Sequence, residues 1–104
     1  MTAYPNLLRL VEGATLALDV LVTDDLGSPV AWSAGQLTAT IADLLGNVVA
    51  SPVVTPAATQ GWGTITTATV GWPIGRLAAQ LTLTAQGEIF LSDAFFLTME
   101  RPVA

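Results

Sequence analysis

Eight carboxylates against three arginines, with no lysine or histidine, give this 104-residue chain a net charge of −5. Nucleic acid and anionic membrane surfaces are therefore excluded as expected partners, since both need clustered Lys and Arg. Cysteine is absent, which removes disulfides and thiolate metal sites and leaves packing alone to hold what the length suggests is a single domain.

Charged residues make up 11% of the chain and apolar ones 52%, whereas an average domain is roughly a quarter charged. Either Thr- and Ala-rich faces meet water directly, or a partner covers part of the surface; exposed apolar area of this kind favours the partner. The longest membrane-span candidate, residues 14–22, is interrupted by Asp19. The first residues lack a basic stretch followed by an apolar one, so no signal peptide is expected and synthesis in the cytoplasm is.

In chain order, residues 1–5 read as an N-terminal arm bearing Tyr4, because Pro5 bars helix before it and donates nothing to a ladder. Residues 7–11 form a short apolar strand. Residues 15–23 alternate, with Leu16, Leu18, Val20 and Val22 directed inward. A turn follows at 24–29, a short strand is expected at 30–32, and another strand at 37–42 with Leu37, Ala39 and Ile41 inward. Asp43 to Asn47 turns again and echoes the earlier turn at an offset of 19, with Asp bonding its own backbone and Gly taking positive φ in each. Residues 48–54 contain Pro52, which marks an edge strand or bulge. A loop leads to a Thr-rich strand at 62–70.

The strongest pattern is the hairpin of residues 72–99. Trp72, Pro73 and Gly75 make a structural turn. Residues 76–84 alternate with Leu77, Ala79, Leu81 and Leu83 on one face; residues 85–88 reverse the chain; and residues 89–99 return with Ile89, Leu91, Phe95, Leu97 and Met99 inward. Two registers stay open in the return strand. In one, Phe90 and Phe96 face outward as an apolar patch. In the other, a bulge near Ser92 and Asp93 turns Phe96 inward, which the placement of Asp93 on the core face supports. Residues 100–104 are a tail. Seven to eight short strands without a convincing helix predict an all-β, immunoglobulin-like antiparallel sandwich.

No reactive constellation stands out. Nucleophilic catalysis needs an activated Ser, Cys or Lys beside a base; only Ser28, Ser33, Ser51 and Ser92 are on offer, in turns or on strand faces where serine is ordinary. Asp24 and Asp25 are adjacent and diverge in an extended backbone, which does not suit paired acid–base work on a glycoside. Asp24, Asp25 and Asp43 lack the spacing of a calcium loop and are explained by turn capping. No catalytic residue, metal or cofactor is expected. Trp72 is expected over the end of the sandwich. Trp62, between two glycines, is an interface candidate, and Trp32 is ambiguous. Tyr4, Trp32, Trp62, Phe90 and Phe96 are the candidate contact residues, with Trp62 and Trp32 also able to serve as stacking platforms for a carbohydrate.

Residues 10–16, 24–30 and 41–49, the Trp72-Pro73 turn within 71–77, and residues 87–101 together resemble small immunoglobulin-like proteins of tailed bacteriophage particles. The motifs are turn glycines, a Trp-Pro turn and a closing alternating strand, and the antibody-type cysteine pair is absent. The resemblance implies a non-enzymatic virion protein: a capsid decoration or minor capsid protein held by contacts to capsid or other virion proteins, or a tail, baseplate or fibre adaptor. Homo-oligomers are implied too, a trimer among them, since copies at three-fold positions can bury a common face.

Overall fold

The computed structural model describes residues 1–6 and 9–102. Period-two alternation dictates its layers. In β3 (Thr15–Thr23), Leu16, Leu18, Val20 and Val22 are buried while Ala17 and Asp19 are exposed. β4 (Leu37–Asp43) buries Leu37, Ala39 and Ile41, and β8 (Gly75–Ala85) buries Leu77, Ala79, Leu81 and Leu83. Each strand thus has one greasy face, and two sheets stack to cover them.

Ten strands result. Besides those three they are β1 (Thr2–Pro5), β2 (Arg9–Val11), β5 (Val48–Ala50), β6 (Thr55–Pro56), β7 (Trp62–Ala68), β9 (Glu88–Leu91) and β10 (Phe95–Glu100). One sheet runs β1-β3-β7-β6. The other runs β2-β10-β8-β4-β5, with β9 paired to β8 in line with β10. Among the described residues there is no helix. The core joins Leu18, Val20, Val22 and Ile65 of the first sheet to Ile41, Leu81, Leu97 and Met99 of the second, with Trp72 buried beside them. Burying each large side chain contributes on the order of 1.5–3 kcal/mol.

The two echoed turns are the same structure. The Asp24 carboxylate accepts from the N–H groups of Leu26 and Ser28, and that of Asp43 accepts from Leu45 and Asn47. Gly27 and Gly46 take φ of 84° and 89°, and each donates its N–H to the carbonyl of the aspartate. The expected strand at 48–54 is split. β5 pairs with β4, Pro52 follows, and the chain then crosses to the first sheet as β6. Pro52 contributes only its carbonyl, which accepts from Ala39 N–H.

Several expectations are corrected. Residues 1–5 are not an arm: residues 2–5 form β1, antiparallel to β3, with Ala3 buried, because Pro5 is harmless at the end of an edge strand. The sandwich is not wholly antiparallel, since β2 runs parallel to β10. Residues 30–32 are no strand; Val30 N–H reaches Val22 O, and the Trp32 ring then wedges over Gly63, which takes the chain off the sheet edge. Gly75 opens β8 with φ of 117°, and Glu100 closes β10 instead of starting a tail. Residues 7–8 of the first expected strand and residues 103–104 of the tail lie outside the described residues.

Candidate contact surfaces

The five candidate contact residues occupy different surfaces, and strand pairing decides which. On the six-stranded sheet, Phe96 stands opposite Ala78, Ala78 opposite Ala42, and Ala42 opposite Val48. Paired residues share a face, so this apolar row crosses β10, β8, β4 and β5 on the outside of the molecule. Phe96 is 40% exposed and Val48 62%. The Arg76 guanidinium stacks on the Phe96 ring at 3.9 Å from its centroid. The other outward side chains of β4 and β8, from Thr38 and Thr40 to Gln80, Thr82 and Thr84, are uncharged.

The open choice of register resolves into neither alternative. A bulge does form: residues 92–94 stand opposite only Gln80 and Leu81, since Leu91 pairs with Thr82 and Phe95 with Ala79. It inverts the strand before it, not the one after. Phe95, Leu97 and Met99 stay in the core and Phe96 stays outside, while Ile89 and Leu91, expected inward, are exposed on the outer face beside Thr84 and Thr82. Phe90 shares the inner face with Leu83 and lines a cavity of about 300 Å³ at the end of the sandwich with Met1, Val30, Asp24 and Asp25.

Side chains build the bulge. Ser92 is buried; its N–H donates to Leu81 O, its Oγ accepts from Leu81 N–H at 2.9 Å, and its carbonyl accepts from the Gln80 amide at 2.7 Å. Asp93, freed from the core face, takes the N–H of Ala3 on its carboxylate.

Tyr4 and Trp62 come together on the opposite side of the molecule. Tyr4 pairs with Leu21 and Leu21 with Trp62, which makes a second apolar row across β1, β3 and β7. Alternation alone turns Leu21 outward, but only the strand pairing shows that it joins Tyr4 to Trp62. Trp32 does not share that row. Its ring is half-buried against the core, and a Cβ on Gly63 would lie 2.5 Å from it. Trp32 and Trp62 nevertheless line one cavity of about 220 Å³ together with Pro56, Thr59, Gln60 and Gly61. The Trp32 Nε1 is buried without a partner among the described residues.

Asp24 and Asp43 are turned into their own turns. The amide of Asn47 at 3.0 Å, joined by backbone N–H groups, holds the Asp43 carboxyl below its usual range. The Ser92 hydroxyl donates to the Asp93 carbonyl, not to a carboxylate. Among the described residues, no three carboxylates gather into a metal-binding group.

No protein-family model matches the chain, and no match was found among curated proteins. Solved structures of similar shape include the following two. The Lin-41 filamin domain superposes with a TM-score of 0.58 at 14% identity, over 96% of this chain and 93% of that one. A DUF4785 family protein from Legionella pneumophila gives 0.52 at 10% identity, over 93% of this chain but 27% of that one. Likeness at such identity speaks to fold alone: the chain is a single immunoglobulin-like β-sandwich domain.

Proposed function

We propose that this protein is a non-catalytic contact module that docks onto other proteins through the outer face of its six-stranded sheet. One observation carries the reading: the apolar row Phe96, Ala78, Ala42 and Val48 crosses four strands of that face, with Arg76 stacked on the exposed ring. A face that leaves a phenylalanine and a valine in water on a chain only 11% charged is built to be covered. An aromatic under an arginine is also the kind of anchor on which interfaces depend. The lack of His, Cys and Lys supports a role without chemistry.

The assembly we propose is a phage particle, with the chain bound to the capsid as a decoration or minor capsid protein, or else as a tail, baseplate or fibre adaptor. The support for this is the sequence resemblance of its turns and closing strand. The test is density-gradient purification of particles from a host making the chain with Phe96 intact or as Phe96→Ser. The wild type is expected to travel with particles and the variant to remain at the top of the gradient. Wild-type chain found only as free protein would overturn the assignment.

A second reading has its own observation, the cavity shared by Trp32 and Trp62. A carbohydrate ring stacked there would quench or shift tryptophan fluorescence in a titration, and Trp62→Ala would abolish the change. A glycan array without a hit would remove this reading.

A further inference from the structure

A sandwich of two open sheets must protect its strand edges, because unpaired N–H and C=O groups recruit other strands. Four of the five edges here carry a protecting device. β1 ends in Pro5, β6 ends in Pro56, β5 runs on into Pro52, and β2 is only three residues long. The fifth edge, β9, has no proline and no bulge within it, and its single charge is Glu88 at the start. All four of its residues are exposed, Ile89 at 68%, Phe90 at 44% and Leu91 at 57%.

Hairpin phase shows which backbone groups are free. Ser92 N–H bonds Leu81 O, and antiparallel strands alternate hydrogen-bonded and open pairs. Phe90 and Glu88 therefore direct their N–H and C=O toward Leu83 and Ala85 of β8, while Ile89 and Leu91 direct theirs away from it. β9 pairs with β8 alone, and β2 flanks the neighbouring strand only at Thr98, Met99 and Glu100. Among the described residues, nothing pairs with the outer edge of β9.

We infer that β9 is a self-pairing edge, at which two copies of this chain join antiparallel about a twofold axis through Phe90. The register is self-complementary. Ile89 lies opposite the partner's Leu91 and Leu91 opposite the partner's Ile89, and each of these two pairs exchanges two N–H···O bonds. Phe90 faces the partner's Phe90 across the open pair between them. Glu88 meets the partner's Ser92, so no carboxylate opposes another, and the shared ladder stops there because the Asp93 N–H already donates to the Met1 carbonyl of its own chain. Ile89 and Leu91 form apolar cross-strand pairs on the outer face while the phenylalanines meet on the inner one. Isologous pairing of this kind closes at two copies. The inference extends the contact-module reading but stands on a different surface.

The chain's lack of cysteine makes the register directly testable. An open antiparallel pair sets its Cα atoms about 4.5 Å apart, within disulfide range. Under mild oxidation, Phe90→Cys is expected to form a covalent pair in high yield, while Tyr4→Cys and Leu44→Cys remain single chains. In sedimentation equilibrium the wild type is expected at twice 10.8 kDa. Ile89→Lys and Leu91→Pro, which spoil the free edge but leave the β8 bonds in place, are expected at the single-chain mass with an unchanged circular dichroism spectrum. A wild type at single-chain or three-chain mass would overturn the inference, as would both edge variants keeping the double mass, or Phe90→Cys cross-linking no faster than its controls. Phe96→Ser separates the two claims: it is expected to keep the double mass while losing attachment through the sheet face.

Discussion

Gly63 has no side chain because Trp32 occupies the space one would need. A Cβ there would meet the Trp32 ring at 2.5 Å and the buried Val54 at 2.7 Å, so both would have to shift. Gly63→Ala is expected to destabilise the fold by about 1–3 kcal/mol, as overpacking of a filled core does; unchanged urea unfolding would contradict this placement of Trp32. Asp43 makes a second prediction at this scale. Its carboxyl is held below the usual range first of all by the Asn47 amide. A carboxyl with a lowered folded-state pKa favours the fold above its unfolded pKa, near pH 4, and loses that contribution as pH falls through the folded value. In Asn47→Ala the Asp43 titration followed by carbon NMR is expected to move upward toward the ordinary range. An unmoved titration would show that the Asn47 amide does not act on it.

Among the elements, the bulge at Ser92 sets which apolar residues meet water. The Ser92 hydroxyl is the acceptor for the buried Leu81 N–H. Ser92→Ala is therefore expected to cost about 1–3 kcal/mol in chemical unfolding, the penalty for stranding a buried donor; a loss under about 0.5 kcal/mol, the range of ordinary surface changes, would mean the register does not rest on it. This element also shows what was legible in the sequence. The faces of β3, β4 and β8 could be read because a strand's period of two needs no information from elsewhere. The twin turns at Asp24 and Asp43 could be read because each carboxylate bonds within four residues of itself. The inversion of Ile89, Phe90 and Leu91 could not, since it depends on bonds from Ser92 to β8 and from Asp93 to Ala3, 90 residues away. Asp93 falling on the core face in the middle of an alternating run was the one signal of it.

For the whole molecule, packing must supply what disulfides do not. Leu81 lies fully buried between the sheets, and Leu81→Ala is expected to destabilise the domain by about 2–5 kcal/mol; a loss below about 1 kcal/mol would contradict its place in the core. The contact surfaces were only partly legible at this scale. Phe96 was readable as outward from the alternation of its own strand. The row that continues it through Ala78 and Ala42 to Val48 needed the pairing of four strands, and the meeting of Tyr4 with Trp62 needed β1 to join the first sheet. The likeness to the filamin domain adds the architecture and leaves the function to these surfaces.

The central claim is that the outer face of the six-stranded sheet is where this protein meets its neighbours. The most direct measurement places a photo-cross-linking benzoylphenylalanine at Phe96 and, as a control, at Leu44, exposed in a turn, in cells that make the assembly. A discrete adduct at Phe96 well above the yield at Leu44 is the predicted result; equal yields at the two positions would contradict it.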